Sequence, residues 1–353
     1  MSRFLNDRYS SLEVYTPGEQ PKDKKYIKLN TNESPFPPSE KTVAAVNADE
    51  VRDLRLYSDP ECTELKIAMA KSYGVKTENV YVANGSDDIL NFAFMAFGQN
   101  GAVFPEISYG FYKVFAELHA VDYITVPLEK DFSIDADKYC FNGRLTVIAN
   151  PNAPTGLCLS VKEIEQIVKN NPDGVVLIDE AYIDFGGESC LPLINKYKNL
   201  LVTGTFSKSR SMAGARLGFC FADKEIIDDL RRIKYSTNPY NINRLTLVAG
   251  KAAIEDDAYY TENCKRIIEN REYTVAQLEG LGFRVIPSKA NFVFAESAWI
   301  DGAELYSRLK EKGILVRHFD SERIKNFNRI TIGSIEEMRE LIKSVKQISE
   351  ELQ

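Results

Sequence analysis

The sequence predicts an α/β chain: a large domain on a mostly parallel sheet, a smaller α+β unit after it, and an extended N-terminal arm before it. Three observations predict this. Short β-branched runs alternate with amphipathic segments through the middle of the chain, the pattern of strands joined by helical crossovers. Near Leu245 the pattern changes to one long helical stretch followed by a few strands and two more helices. The opening residues are rich in proline and polar groups around Pro35, Pro37 and Pro38 and sustain no period. The expected boundaries are 1–45 for the arm, which packs with the small domain, 46–245 for the large domain and 246–353 for the small one.

Within the large domain, Val80–Ala83 reads as a strand and Asn84-Gly85-Ser86 as its turn. A helix then runs from Asp87 to Phe97, with Ile89, Leu90, Phe92, Ala93 and Ala96 as its apolar stripe. Further strands are expected at Ala102–Phe104, Tyr123–Val126, Leu145–Ile148, Val175–Ile178, Leu200–Thr203 and Gly218–Phe221, with helices at Val161–Asn170 and Lys224–Lys234 among them. The small unit should hold a helix from Leu245 through Leu281, strands at Phe283–Ile286 and Asn291–Phe294, and a helix at Gly302–Lys312. Strands at Leu315–Arg317 and Arg329–Ile332 and a helix at Ile335–Leu352 complete it.

Composition narrows the function. In 353 residues, 44% hydrophobic and 27% charged, there is material for a large buried core, which excludes disordered and low-complexity classes. The net charge of −7, with no basic run, argues against nucleic acid as a partner. No stretch reaches the ~20 apolar residues of a membrane span, and the N-terminus lacks a signal-peptide core, so a cytoplasmic protein is expected. Cys62, Cys140, Cys158, Cys190, Cys220 and Cys264 show no metal or redox spacing and are expected to be reduced and mostly buried. His119 and His318 are the only histidines, too few for a multi-histidine metal centre, and no metal is expected.

Four segments follow predicted strands and could carry chemistry. Asn84-Gly85-Ser86-Asp87-Asp88 opens a helix whose free N–H groups could hold a phosphate, although simple capping by Ser86, Asp87 or Asp88 explains it as well. Val175–Ile178 ends in Asp179-Glu180-Ala181-Tyr182, and neither a G-x-x-x-x-G-K-[ST] loop nor a G-x-G-x-x-G turn exists to make this a nucleotide site. Thr205 to Arg216 combines hydroxyls, Lys208 and an arginine; alone it could be a solvated loop. Asn150-Pro151-Asn152-Ala153-Pro154-Thr155-Gly156 could be an ordinary turn. An amine, a carboxylate, a hydroxyl-rich anion site and a guanidinium at one sheet edge are the parts that hold a phosphorylated aldehyde with a basic ring nitrogen.

In order and spacing, N-P-x-x-P-T-G, D-E-A-Y and S-K-x-x-x-x-x-G-x-R resemble the fold-type I pyridoxal-phosphate enzymes of the aspartate aminotransferase superfamily. The narrower resemblance is to the histidinol-phosphate aminotransferases. It rests on Tyr15-Thr16-Pro17-Gly18, Lys28 to Pro35 (KLNTNESP), Leu56-Tyr57-Ser58-Asp59-Pro60, Asn84-Gly85-Ser86-Asp87 and Arg329-Ile330-Thr331-Ile332-Gly333, and spans nearly the whole chain.

The resemblance implies a homodimer with shared sites and pyridoxal 5'-phosphate as cofactor. Lys208 would join the cofactor aldehyde, Asp179 would pair with the protonated ring nitrogen, and Tyr182 would bond the ring's phenolic oxygen. Tyr109 would lie against the ring face. Ser86, Asp87, Thr205, Ser207 and Arg216 would hold the phosphate, joined by Tyr57 from the neighbouring subunit. Family members usually carry Asn immediately before Pro-Thr-Gly, where this chain has Ala153; Asn152 would supply the donor if the turn is shifted. Arg317 and Arg329 would bind the anionic group of the substrate, with Tyr15 and Asn32 closing over it; for each of these four, a surface ion pair or a packed turn is the plain alternative. The substrates implied are histidinol phosphate and 2-oxoglutarate, giving the imidazole-acetol phosphate and glutamate, in histidine biosynthesis. Competing readings are threonine-phosphate decarboxylase, an aromatic aminotransferase, and a non-catalytic regulator on the same fold.

Overall fold

The computed structural model describes residues 3–6, 9–10, 12 and 15–352. Seven strands form one sheet in the order Val80–Ala83, Gly218–Ala222, Leu200–Thr205, Val176–Asp179, Leu145–Ala149, Ala102–Pro105, Tyr123–Val126. Gly218–Ala222 is antiparallel to both of its neighbours, and every other pair is parallel. Two reversals cancel, so Val80–Ala83 points the same way as the parallel strands. Its end at Ala83 therefore falls on the same edge as Ala149, Asp179 and Thr205. In register, Asp179 stands between Ala149 and Thr203.

Strand alternation sends successive side chains to opposite faces. Val80, Val82, Ile148, Ile178 and Val202 pack on one face, and Tyr81, Ala83, Val147, Leu177 and Leu201 on the other. Because both faces are covered, these strands read as continuous apolar runs. Each fully buried aliphatic side chain contributes ~1.5–3 kcal/mol, so this double core holds the sheet edge firmly. The helix Ser86–Phe97 buries Ile89, Leu90, Phe92, Ala93 and Phe94 against it. The helix Val161–Asn170 starts at a capping box of Ser160 and Glu163.

The C-terminal part holds a four-stranded antiparallel sheet in the order Arg317–His318, Phe327–Thr331, Phe292–Ser297, Phe283–Ile286. Ile27–Lys28 of the N-terminal segment pairs in parallel with Ile314–Leu315, and Thr331 N–H donates to the Leu29 carbonyl at 2.9 Å.

Three local expectations are corrected. The single helix expected from Leu245 through Leu281 is two, Arg244–Glu255 and Asp257–Gly280, broken at Asp256. Short carboxylates compete with the helical backbone, and Asp256 instead accepts from Lys41 Nζ at 2.7 Å. The strand expected at Leu315–Arg317 is divided at Val316, because Ile314–Leu315 pairs with the N-terminal segment and Arg317–His318 with the small sheet. Nor is the N-terminal segment wholly extended: Glu40–Ala45 is a helix whose Ser39 cap accepts from Thr42 N–H at 3.2 Å. Helices that the sequence pattern does not predict also form at Ala48–Arg52, Thr63–Tyr73 and Phe111–His119.

Candidate active site

The turns that leave the shared sheet edge surround a cavity of about 270 Å³. Asp179 stands at one end. It is 5% exposed, its Oδ2 accepts from the Tyr112 hydroxyl at 3.0 Å, and its Oδ1 accepts from Ala181 N–H at 3.2 Å. Burial pushes its pKa up to about 6, against those two hydrogen bonds and the nearby Lys208 charge, which favour ionisation. A cation brought to this carboxylate therefore gains a strong partner.

The other end collects donors. The helix Ser86–Phe97 starts after Gly85 with no side-chain cap, so its first N–H groups are left for a ligand. Gly85 has φ +85°, and a Cβ there would lie 2.6 Å from Arg216 Nη2. A Cβ on Gly218 would lie 2.2 Å from Ser86 N. Both glycines therefore let the guanidinium and the returning strand close on the helix start. Arg216 Nη2 pairs with Asp87 Oδ2 at 2.9 Å, and Nη1 reaches Ser207 Oγ at 3.4 Å. Thr205 Oγ1 donates to Ser207 Oγ at 3.0 Å and accepts from Ser207 N–H at 3.1 Å.

Lys208, Tyr182 and Tyr109 line the same cavity. Lys208 Nζ donates to the Thr31 carbonyl at 3.2 Å and sits 5.7 Å from the centroid of the Tyr182 ring. The Tyr109 hydroxyl donates to Asp87 Oδ1 at 2.9 Å, and burial pushes its pKa up. Asp87 thus holds Tyr109 with one oxygen and Arg216 with the other, which commits its side chain and leaves its N–H toward the anion end.

Pyridoxal phosphate fits this donor set. Its phosphate matches the uncapped helix start with Ser86, Thr205, Ser207 and Arg216. Its ring nitrogen, once protonated, would match the buried Asp179 carboxylate, and Lys208 in the same lining would offer an amine to its aldehyde.

Comparison with known proteins agrees. The model of aminotransferase class I and II matches residues 24–345. The chain belongs to that family. It is 49% identical over 351 residues to the histidinol-phosphate aminotransferase of Brachyspira hyodysenteriae, covering 99% of each chain. With the histidinol-phosphate aminotransferase of Marinomonas sp. strain MWYL1 it is 50% identical over 353 residues, covering 99% of this chain and 100% of the other. Among solved structures, the histidinol-phosphate aminotransferase of Sinorhizobium meliloti in complex with pyridoxal-5'-phosphate has a TM-score of 0.87 at 23% identity over 99% of both chains, a likeness of fold.

In this aminotransferase several expected residues stand apart from the cavity. Asn152 is turned away: its Nδ2 donates to the Ile107 carbonyl at 3.0 Å and Thr155 Oγ1 at 3.2 Å, and its Oδ1 accepts from Ser108 at 2.8 Å. Both amide protons are spent, and Ala153 lines the wall instead. Asn32 also lies behind the wall, between the lining residues Thr31 and Glu33. Tyr57 is 81% exposed, stacked on Tyr240 with ring centroids 4.5 Å apart and outside the cavity lining. Tyr15 stacks on Phe111 at 4.2 Å and meets Tyr109 edge-on at 6.3 Å. Arg317 donates to the carbonyls of Thr16 and Pro17, and Arg329 donates to that of Asn30 at 3.0 Å. Both flank Tyr15, whose phenol burial pushes up and their charges pull down.

Sequence reasoning missed Tyr112, the hydroxyl behind Asp179. The signal was present, because Tyr112 follows Tyr109 by three positions and stands in the first turn of the helix Phe111–His119, which the sequence pattern does not predict. Glu33, part of the Lys28 to Pro35 motif, also lines the cavity and pairs with Lys28 at 2.8 Å.

Proposed function

We propose that this aminotransferase moves the amino group of histidinol phosphate to 2-oxoglutarate, releasing imidazole-acetol phosphate and glutamate, with pyridoxal phosphate held in the cavity beside Lys208. The observation that carries this is one cavity lined by Lys208, the buried Asp179 carboxylate and the uncapped helix start at Ser86, with Arg329 near the lining residues Tyr182 and Tyr109 and Arg317 opposite it in the ladder. When bound, the cofactor draws electrons from the carbon bearing the substrate amine.

Each side chain then has a defined task. Asp179 keeps the ring nitrogen protonated, and Tyr182 donates to the phenolic oxygen. Tyr109 covers the ring face. Ser86, Asp87 N–H, Thr205, Ser207 and Arg216 bind the phosphate. Lys208 Nζ takes the proton from the carbon that bears the substrate amine and delivers it again as the amino group is passed on. Arg317 and Arg329 take the substrate's phosphate in one half of the reaction and a carboxylate in the other, since a guanidinium suits both. Tyr15 closes over the bound substrate.

The working unit in this reading is a cytoplasmic homodimer in which Tyr57 reaches the neighbouring subunit's phosphate site. In support, Val43, Val46, Val51, Leu54, Leu56 and Tyr57 are all exposed in the single chain. Among the described residues no helix is long and apolar enough to cross a membrane. The proposed organisation is the arm at 1–45, the large domain at 46–245 and the small domain at 246–353. The test is a spectral titration: histidinol phosphate should convert the bound aldehyde absorbance to the amine form, and 2-oxoglutarate should reverse it. No change on adding histidinol phosphate overturns the substrate assignment.

A further inference from the structure

We propose that Asn32 is a positioning residue for Tyr182: its side-chain amide donates to the phenol oxygen and so turns the phenol's own proton into the cavity. The inference rests on the cofactor reading above. Asn32 is 1% exposed and adopts φ +56°, and its Nδ2 lies 3.0 Å from Tyr182 Oη. The Thr331 hydroxyl sets the orientation of its amide. Thr331 Oγ1 accepts from Asn32 N–H at 3.0 Å and donates its own proton to Asn32 Oδ1, also at 3.0 Å. The oxygen of the amide is then spoken for, and the NH₂ end is the one that faces Tyr182. Asn291 Nδ2 holds the Asn32 carbonyl at 3.1 Å, which fixes the backbone as well.

A phenol has one proton. With Asn32 supplying the hydrogen bond to its oxygen, that proton is free for an acceptor in the cavity. Ala149, Ala153 and Ala181, which line the cavity, carry no side-chain donor, and both protons of Asn152 are spent elsewhere. Asn32 therefore performs at one remove the task expected of an amide at position 152 or 153.

The readout is the pH midpoint of the bound cofactor's visible absorption. A donor aimed at the phenolic oxygen stabilises negative charge there, and so lowers the pH at which the neighbouring Lys208-linked nitrogen gives up its proton. The other charged groups around the cavity are Lys208, Asp179, Asp87, Glu33, Arg216 and Arg329, with the phenols of Tyr109 and Tyr15, and all stay in place through the experiment. Asn32→Gly, which tolerates the positive φ, should raise the midpoint by roughly half a unit to one unit, the worth of one hydrogen bond. Asn32→Asp keeps the Thr331 contact while removing the donor, and should shift it the same way. In a Tyr182→Phe background, Asn32→Gly should cause no further shift. An unmoved midpoint in both Asn32 variants, or an equal shift with and without the Tyr182 hydroxyl, overturns the proposal. Failure of the wild-type protein to bind pyridoxal phosphate would instead overturn the cofactor reading.

Discussion

Arg317 and Arg329 stand directly opposite one another in the antiparallel pair of Arg317–His318 with Phe327–Thr331. Among the described residues neither has an ion-pair partner; both donate to backbone carbonyls, and Arg329 Nε is buried with no partner at all. Like charges facing across a ladder repel, and desolvation depresses the pKa of Arg329. An anion between them would relieve both costs.

Replacing Arg329 with Gln should therefore raise KM for histidinol phosphate and for 2-oxoglutarate alike, by roughly 10- to 100-fold, the range of a lost charge-assisted hydrogen-bond pair. Steady-state kinetics in both half-reactions checks this. Unchanged KM for both substrates would remove Arg329 from the binding site.

Lys208→Ala should lose turnover by at least about a thousandfold, since in the proposed reaction the same amine anchors the cofactor and moves the proton. Borohydride reduction followed by peptide mapping should find the reduced adduct on Lys208 in the wild type and on no residue of the variant. An adduct on another lysine would refute the assignment.

Glu180, next to Asp179, points to the opposite face, where its oxygens accept from Ser189 Oγ at 2.5 Å and Cys190 N–H at 2.7 Å. Burial nevertheless pushes its pKa up to about 7. A carboxyl raised in the folded state favours folding while protonated, so this contribution is complete below the unfolded value near 4.5 and fades as pH rises through about 7. Glu180 should account for on the order of 2–3 kcal/mol of the stability that the cofactor-free protein loses across that window, beside the loss from the likewise raised Asp179. Glu180→Gln should flatten the loss, as read by urea unfolding at pH 5 and pH 8. A variant with the wild-type pH slope would show that the carboxyl titrates normally.

Tyr57 is too exposed for its hydroxyl to matter to the isolated chain. Tyr57→Phe should leave the thermal midpoint of the cofactor-free protein unchanged while weakening pyridoxal phosphate binding about tenfold. Equilibrium dialysis measures the second effect. Equal affinity in variant and wild type would place Tyr57 outside the phosphate site.

The large sheet was legible because its strands, buried on both faces, leave unbroken apolar runs such as Val80–Ala83 and Leu145–Ala149. The helix Val161–Asn170 was legible through its capping box and the spacing of Ile164, Ile167 and Val168. Thr63–Tyr73 was not, because it buries only Leu65, Met69 and Ala70 and begins at Cys62 with no side-chain cap. Of the site, the residues in local motifs after strands were readable, since strand ends converge on one edge. Tyr112 and the contact of Asn32 with Tyr182 were not, since each depends on a partner far away in the chain: 67 positions for Tyr112 and Asp179, 150 for Asn32 and Tyr182. Side-chain rotation at Asn152 is equally invisible in the sequence, because it follows from the carbonyl and hydroxyls that surround the amide.

The segment bearing Ser207, Lys208 and Arg216 leaves the sheet at Thr205 and re-enters at Gly218, and those two residues are themselves ladder partners. Its ends are thus pinned together by the same pairing that completes the sheet. The entropy of closing this loop is lost once, when the chain folds, so an arriving ligand meets amine and guanidinium already at a fixed separation. Slackening the pairing at either end would tax affinity for the whole cofactor, even with every contacting side chain intact.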